Sequence, residues 1–571
     1  MSLSLAQFND ATVASRVQAI ENVYLNAPWI AEQAALCAPF ASLAALKWAM
    51  VEAVSRADAA AKLALINSYD VLADFDAGNP EVQAQIDSLG QTYRERFGFA
   101  FVLALQGPRG TGLSAQEVLQ TIQRRMRNPV DFEQSEALRH IHRMAELTLN
   151  RLFDDQPNLG NDVWDWCEAL AEHSEPGYRE RGELTVTYLT DAHRACAKQI
   201  ADWMREKCQF DEVDIDAVGN VVGVYFGQDR DAPRLLTGSH YDTVRNGGKY
   251  DGRLGILVPM ACVRELARQG KRLPFGIEVV AFAEEEGQRF KAVFLGSGAL
   301  IGQFDPKWLD ETDADGVTMR AAMQHAGLDI EQIAQIKRDP QDYLGFVEVH
   351  IEQGPVLTQR DLPLGVVTSI NGGVRLMGEV IGMASHAGTT PMGMRRDAAA
   401  AVAELILYAQ KRAAEVPDVV ATVGMLEVPN GSINVVPGAC RFSLDIRATT
   451  DVVRDACVAD VREQLGVICS ERGLTYELRE FMRVSAAPSD ALWQQRWERA
   501  ISELGLPVFT MPSGAGHDAM KLHHVMPQAM LFVRGINNGI SHNPLEMTTS
   551  DDIELCVQAF DRLLLQIASK S

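Results

Sequence analysis

The stretch GSHYDTVRNGGKYDG, residues 238–252, decides the fold of this chain. It is preceded by the apolar run RLLT from Arg234, which is typical of a buried strand, so His240 stands where that strand ends. A second apolar strand is predicted over 275–283 (FGIEVVAFA), and it leads directly into three glutamates at 284–286. Because open α/β sheets place their sites at the carboxyl ends of strands, we expect these side chains at one edge of a sheet.

Two further segments downstream carry residues of the metal-ligand type, VHIEQG at 349–354 and ISHNP at 540–544. A single histidine among twelve, or a run of glutamates, is more often a surface feature than a ligand. An ordered set that follows predicted strands favours a two-metal hydrolase, because three imidazoles and two carboxylates can hold two divalent ions if one carboxylate bridges them. The predicted ligands are His240, Asp251, Glu286, His350 and His542.

The chemistry of these groups suggests a role for each. Asp251 is predicted to bridge the ions, since a shared carboxylate holds two cations close together, with His240 and His542 as terminal ligands. Asp242, two residues after His240, is suited to fix the orientation and tautomer of that imidazole.

The triple glutamate is expected to supply both a ligand and a base. Glu286 would ligate one ion, and a neighbour would act as general base on the attacking water. The choice of Glu285 over Glu284 rests partly on the resemblance that follows.

From about residue 180 onward, the chain resembles the di-metal amidohydrolases of the aminoacylase/carboxypeptidase superfamily. Within it, the sequence is most similar to allantoate amidohydrolases and N-carbamoyl-L-amino acid hydrolases. Eight blocks occur in family order: GSHYDTVRNGGKYDG (238–252), AEEEGQRF (283–290), VEVHIEQGPVL (347–357), SHAGTTPMGMRRDA (385–398), GSINVVPG (431–438), LDIR (444–447), GAGHDA (514–519) and GISHNP (539–544).

The resemblance implies the five metal ligands named above, Glu285 as the base, and a dimer in which His386 reaches the substrate of the partner subunit. It implies a substrate pocket lined by Gln353, Asn434, Arg447 and His517. Arg447 would hold a carboxylate, a task for which a bidentate guanidinium is well suited. The cofactor expected is a pair of divalent ions per subunit, Zn²⁺ or Mn²⁺.

The expected reaction is hydrolysis of a ureido C–N bond, most closely that of allantoate to ureidoglycine with release of ammonia and carbon dioxide. The runs KYDG, PLGVVTSING and GAGHDAMKLHHVMPQAMLFVRG favour allantoate. An N-carbamoyl-L-amino acid hydrolase is the alternative. A peptidase or aminoacylase fits less well, because the EVHIEQGP and GAGHDA blocks favour the carbamoyl branch.

The amino-terminal third resembles a different family, the all-helical decarboxylase of 2-oxo-4-hydroxy-4-carboxy-5-ureidoimidazoline. PWIAE (28–32), PFASLAAL (39–46) and TYRERFGFAFVLALQG (92–107) carry the resemblance. That family uses a His-Pro pair and a Glu in a Ser-x-x-Glu-Gln segment, both expected between about 65 and 90. The first histidine of this chain is His140, so the domain is expected to keep the fold without the chemistry. An active, bifunctional chain is the second alternative.

A chain of 571 residues is too long for one core. The predicted fold is multidomain: an all-α domain at 1–160, an α/β di-metal domain at 161–365 and 485–571, and an inserted ferredoxin-like α+β lid and dimerisation domain at 366–484. Residues 254–269 are predicted to form an amphipathic helix.

The association of the amino-terminal family with urate breakdown favours allantoate as the substrate, by analogy alone.

Composition excludes several partners. A net charge of −23 argues against nucleic acid and anionic membranes, while a small anionic ureido substrate needs only a local positive pocket. No apolar run approaches the length of a membrane helix, and the first residues lack the pattern of a signal peptide. Nine scattered cysteines without a C-x-x-C pair indicate a reduced, cytoplasmic protein. A homodimer is expected.

Overall fold

The computed structural model describes residues 3–569. Its first part is all-helical, and side-chain caps begin most of the helices: Ser42, Asp58, Asn79 and Ser114 each accept a backbone N–H of the following turn. The helices are α1 (Leu5–Asp10), α2 (Val13–Ile20), α3 (Pro28–Ala35), α4 (Leu43–Arg56), α5 (Ala59–Asn67), α6 (Pro80–Phe97), α7 (Ala115–Arg125) and α8 (Val130–Phe153). They enclose their own hydrophobic core, in which Tyr93 packs edge-on against Phe101.

The second part of the chain contains the first strands of a large mixed sheet and the helices that pack on them. Its elements are α9 (Asn158–Ala171), α10 (Pro176–Arg179), α11 (Asp191–Glu206), β1 (Glu212–Ile215), β2 (Val221–Tyr225), β3 (Arg234–His240), α12 (Arg253–Arg268), β4 (Gly276–Phe282), α13 (Leu295–Leu300), α14 (Met319–His325), β5 (Tyr343–Ile351), α15 (Val356–Gln359) and β6 (Leu364–Ile370).

A separate unit follows, with its own five-stranded antiparallel sheet and its own core. Its elements are β7 (Gly372–Ile381), β8 (Ser385–His386), α16 (Ala398–Ala414), β9 (Val419–Thr422), β10 (Leu426–Glu427), β11 (Val435–Val436), β12 (Ala439–Ala448), α17 (Asp451–Arg472) and β13 (Thr475–Val484). Strand β12 lies between β7 and the short pair β9 and β10, and β13 flanks β7 on the other side. Helices α16 and α17 cover the sheet, which gives the β-α-β-β-α-β motif.

The chain then returns to the large sheet. The last elements are β14 (Ala487–Pro488), α18 (Ala491–Glu503), β15 (Thr510–Ser513), α19 (Ala519–Leu522), β16 (Gln528–Val533) and α20 (Ser550–Ala568). The strand order is β1-β2-β4-β3-β5-β16-β6-β14, with β15 beside β6. Strands β4, β3, β5 and β16 run parallel in the middle, so their carboxyl ends meet at one edge. In residues 3–569, no helix is both long and apolar enough to cross a membrane.

Helix α12, predicted as an amphipathic helix, is more deeply buried than an amphipathic helix at a protein surface. Most of its residues are buried, and the buried positions lie all around the helix in its first three turns. The reason is that α12 packs on β3 and β5 on one side and is covered by α9 and α20 on the other. A helix between two layers is buried on most sides, and in α12 only Arg268, in the last turn, is exposed.

Candidate metal centre

The carboxylate of Asp251 lies between two groups of side chains. Its Oδ1 atom is 3.4 Å from Nε2 of His240 and 3.2 Å from Nε2 of His350. Its Oδ2 atom is 3.3 Å from Nε2 of His542, which is itself 3.3 Å from Oε1 of Glu286. Each oxygen of Asp251 therefore faces a different pair of ligand-type atoms, as a bridging carboxylate would.

The sheet brings these residues together. His240 ends β3 and lies beside Phe282 of β4, which places the glutamates that follow β4 at the same edge. His350 lies near the end of β5, and Asp251 lies just before α12. Gly252 has φ +70°, and a Cβ atom there would stand 2.3 Å from the carbonyl oxygen of His240, so only glycine allows this close approach.

The outer nitrogen of each buried imidazole is already engaged. Nδ1 of His240 lies 3.1 Å from the carbonyl oxygen of Asp242 and 3.3 Å from its carboxylate, and Nδ1 of His350 lies 2.8 Å from the carbonyl of Ile351. A proton on Nδ1 leaves Nε2 as a free lone pair, which is the form a metal ion requires. Both Nε2 atoms point to Asp251.

The donor set fits divalent cations. Oδ1 of Asp251 is buried and has no hydrogen-bond partner among residues 3–569, although three nitrogens and a second carboxylate surround this residue. Ligand atoms of His240, Asp251 and His350 lie within 4.8 Å of one another, and so do those of Asp251, Glu286 and His542. The two groups share Asp251, and their nitrogen and oxygen donors are of the kind that divalent ions such as zinc and manganese accept.

The groups at the centre shift the pKa of one another. Burial acts to raise the pKa of Asp251, but the three histidines that face it hold it well below its usual value. Hydrogen bonds with Asp251 and Glu286 raise the pKa of His542 to about 10. Burial and the adjacent charge of Glu286 raise the pKa of Glu285 well above its usual value. This last shift suits a group that takes up a proton during a reaction.

Asp242 fixes the positions of the glutamates. Its two carboxylate oxygens accept the backbone N–H groups of Glu285 and Glu286, each at 3.1 Å. Glu285 and Glu286 form a potential ligand group with His240, whereas Glu284 belongs to none of the groups found in residues 3–569. The carboxylate of Glu284 is buried.

Of the predicted pocket residues, Gln353 and His517 lie at the centre. The side-chain amide of Gln353 donates to Oδ2 of Asp251 at 2.9 Å. His517 is buried, with its ring 4.4 Å from that of His350 and its Nε2 atom 2.8 Å from Oγ of Ser513. Burial, together with the neighbouring His350, lowers the pKa of His517 well below its usual value, so its imidazole is neutral.

The other predicted site residues lie on the inserted unit. His386 and Asn434 are exposed neighbours, because His386 pairs with Val435 and the N–H of Ala387 donates to the carbonyl of Asn434 at 2.8 Å. Within residues 3–569, no hydrogen bond or ion pair connects these two side chains to the metal ligands. Arg447 is oriented by Asp445, at 3.0 and 2.9 Å, and donates to the carbonyl of Gly514 at 2.7 Å.

Glu546 is a residue of the centre that the sequence analysis missed. One of its carboxylate oxygens accepts the N–H groups of Tyr250 and Asp251 at 2.9 and 3.0 Å, and the other accepts the hydroxyl of Ser541 at 2.6 Å. It thus joins the segment of Asp251 to that of His542. Its position four residues after a predicted ligand, in the stretch PLEM, is the only signal that the sequence offers.

The sequence of this chain is similar to those of known hydrolases and, in its first part, to a decarboxylase family. Residues 236–566 match the family described as Peptidase family M20/M25/M40, and residues 9–150 match the description OHCU decarboxylase. An N-carbamoyl-L-amino acid amidohydrolase of Geobacillus stearothermophilus is 37% identical over 409 residues, which are 72% of this chain and 98% of that protein. An allantoate amidohydrolase of Bacillus subtilis (strain 168) is 34% identical over 417 residues, again 72% and 98%.

A solved structure shows the same likeness. The amidase of the hydantoinase/carbamoylase family from Burkholderia multivorans superimposes with a TM-score of 0.67 at 32% identity, covering 72% of this chain and 98% of that one. The family match covers more than half of the chain, and the relatives are matched over nearly their whole length. The chain belongs to the peptidase family M20/M25/M40 and carries in front of it a helical region similar to OHCU decarboxylase.

Proposed function

We propose that this protein is a metal-dependent amidohydrolase that cleaves a ureido C–N bond, with allantoate as its substrate. The observation that carries the proposal is the carboxylate of Asp251, whose two oxygens face separate pairs of ligand atoms. The relatives named as amidohydrolases of allantoate and of N-carbamoyl-L-amino acids support the reaction class.

Five residues would hold the ions: His240 and His350 on one side of Asp251, and Glu286 and His542 on the other. When bound, two such ions lower the pKa of a water molecule and stabilise negative charge that develops on the scissile carbonyl. Zinc and manganese both suit this set of nitrogen and oxygen ligands.

Glu285 is the proposed general base. Its raised pKa allows the carboxylate to accept a proton from the attacking water and to give it to the departing nitrogen. Asp242 holds the backbone of Glu285 and the ring of His240 at the same time, so the base and a ligand keep a fixed relation. Gln353 is placed to contact a substrate bound beside Asp251.

Arg447 is the proposed partner for the carboxylate of the substrate. It lies on β12 of the inserted unit and reaches the Gly514 loop that precedes His517, so it spans the two units. Asp445 already holds the guanidinium of Arg447, and the remaining N–H groups would bind the substrate carboxylate.

The inserted unit, 366–484, is proposed to act as a lid and as the dimerisation domain. His386 and Asn434 are exposed on it, side by side and without a contact to the metal ligands. This placement supports a role on the substrate of a partner subunit, where His386 would stabilise the oxyanion. The dimer is thus part of the proposal.

Two observations favour allantoate over N-carbamoyl-L-amino acids, although relatives of both names match equally well. The first is the KYDG and GAGHDAMK runs of the sequence. The second is the helical region similar to OHCU decarboxylase, which we propose to be inactive. We also propose a reducing compartment such as the cytoplasm, since all nine cysteines are free.

A panel of substrates tests the function. The full-length protein would be freed of metal, reconstituted with Zn²⁺ or Mn²⁺, and assayed with allantoate, ureidoglycolate, N-carbamoyl amino acids and N-acyl amino acids. Allantoate should give the highest kcat/KM. A preference for N-carbamoyl amino acids would select the alternative, and turnover of N-acyl amino acids alone would contradict the ureido reaction.

A further inference from the structure

The segment 537–551 carries His542 and Glu546 and joins the end of the large sheet to α20; we term it the ligand loop. Its inner side contacts the metal centre through His542 and Ser541, which both lie 3.3 Å from Oδ2 of Asp251, and through Glu546, which accepts the N–H of Asp251. Its two ends contact the amino-terminal helical domain. A movement of either end would therefore change the position of a predicted metal ligand.

Two arginines of the helical domain hold the first end. Nη2 of Arg124 lies 3.4 Å from the side-chain oxygen of Asn537, and Nη2 of Arg139 lies 3.3 Å from that of Asn538. Nη1 of Arg139 also donates to the carbonyl of Thr358, at 3.4 Å, in the segment that follows Gln353. Arg139 thus contacts both the ligand loop and α15, the short helix that follows Gln353.

A buried carboxylate holds the second end. Asp551, in the first turn of α20, is 4% exposed and accepts hydrogen bonds from three side chains of the helical domain. These are Lys47 at 3.2 Å, Asn150 at 2.7 Å and Arg143. The neighbouring N–H of Ser550 donates to the carbonyl of Pro108 at 3.1 Å.

Between the two ends, the domains are separated by a cavity. Its volume is 440 Å³, and Trp48, Leu113, Leu545 and Met547 are among its lining residues. The middle of the ligand loop therefore lacks close packing against the helical domain. The polar contacts at the two ends of the ligand loop attach it to the helical domain.

The backbone of the first end has an uncommon conformation. Asn537 and Asn538 both have positive φ, 56° and 64°, and His542 has φ 52°. Residues other than glycine adopt this region at a cost, which is lower for asparagine and histidine than for most, and contacts from the surroundings help to hold them in it. The contacts of Arg124 and Arg139 fall on the first two of these residues.

We propose that the helical domain positions the ligand loop, with Arg139 and Arg143 as its main positioning residues, and so sets the affinity for the ion beside His542. The inference rests on the proposed metal centre for its functional consequence. It gives the amino-terminal domain a role that needs no decarboxylase chemistry. Residues that orient a ligand from outside typically change metal affinity by about 10–100-fold.

The test uses full-length protein with Arg139→Ala and, separately, Arg143→Ala. Arg109→Ala is the matched control, because Arg109 pairs with Asp165 at 2.8 and 3.0 Å across the same domain boundary without touching the ligand loop. Hydrogen exchange of peptides covering 537–551 is measured first, on metal-free protein. We expect faster exchange in both variants and an unchanged exchange rate in the control. Arg139→Lys should restore part of the slower exchange.

Metal titration is the second measurement. At least one of the two dissociation constants should rise about 10-fold or more in the Arg139 and Arg143 variants, and both should stay unchanged in the control. Unchanged exchange together with an unchanged dissociation constant in Arg139→Ala, the variant with the less buried side chain, would overturn the proposal. Binding of fewer than two ions by the unmodified protein would contradict the metal centre instead, and the exchange measurement would still decide whether the domain positions the loop.

Discussion

The carboxylate of Asp242 accepts the backbone N–H of Glu285 at 3.1 Å. The position of Glu285 is thus set through its main chain. Within residues 3–569, its own carboxylate accepts no hydrogen bond, so it is free to exchange a proton. A base that is held by its backbone combines a fixed location with an available side chain.

We expect Glu285→Gln to retain two metal ions while its activity falls by roughly 10²–10⁴-fold, because the amide cannot accept the proton of the attacking water. Elemental analysis and steady-state kinetics measure the two effects. Glu286→Gln is the comparison, and it should lose metal. Loss of metal from the Glu285 variant would identify that residue as a ligand and move the base to a neighbour such as Glu284.

A mixture of His386→Ala and Glu285→Gln proteins should recover part of the activity that each lacks alone. In a hybrid dimer, one site combines an intact Glu285 with an intact His386 from the other subunit. Activity is measured after subunit exchange, which differently tagged subunits confirm. Exchange without any recovery would show that His386 does not act across the dimer.

Arg447→Ala should raise KM for allantoate by roughly 10–100-fold while both ions stay bound, since a hydrogen bond to a charged group contributes about 1.5–3 kcal/mol. Arg375→Ala is the control, because Arg375 also pairs with Asp445, at 3.0 Å. Equal effects of the two substitutions would indicate that the Asp445 cluster serves stability and not substrate binding.

The full-length protein should leave the spontaneous decay of 2-oxo-4-hydroxy-4-carboxy-5-ureidoimidazoline unchanged. The first two histidines, His140 and His142, lie on α8, and burial lowers the pKa of each. Asp70 cannot readily substitute, because it pairs with Arg94 at 2.7 Å and would repel a departing carboxylate. Circular dichroism during the decay is the measurement, and a stereoselective acceleration would make the chain bifunctional.

The contacts of Asp551 predict a dependence of stability on pH. Burial acts to raise the pKa of Asp551, but Arg143 and Lys47 hold it well below the ordinary 3.8. An acid with a lowered pKa stabilises the fold fully above its ordinary pKa, and this contribution is lost as the pH falls toward the lowered value. Asp551→Asn should therefore cost about 3–5 kcal/mol at pH 7 and progressively less below about pH 4.

Urea unfolding at several pH values measures this difference. Asp165→Asn is the control, because it breaks a pair across the same domain boundary whose carboxylate is 52% exposed, and it should cost less than about 1 kcal/mol. A penalty for Asp551→Asn that stays constant from pH 7 to pH 3 would contradict the assignment.

The sequence predicts site residues that directly follow strands better than residues from distant parts of the chain that hold the ligand segments in place. His240, His350 and the glutamates could be placed because parallel strands end at one edge, and the structure brings them together with Asp251 and His542. Glu546 could not be found in this way, since its partners Tyr250 and Asp251 are almost 300 residues away in sequence.

Burial was the harder property to predict. Helix α12 was expected to have a polar side, but its neighbours α9 and α20 come from distant parts of the chain. His517 was expected to line the substrate pocket, and it lies beside His350 with 2% of its surface exposed. Periodicity describes one element at a time, whereas burial depends on which elements cover it.

The pairing of Arg143 with Asp551 has a consequence for synthesis of the protein. The two residues are 408 positions apart, and domains fold in order as the chain leaves the ribosome. The helical domain therefore forms while Lys47, Arg143 and Asn150 still face solvent. Their contacts with Asp551 can form only after α20 has been translated. A nascent chain arrested before residue 551 would carry a folded helical domain tethered to an unfinished enzyme, exposed there to chaperones and proteases.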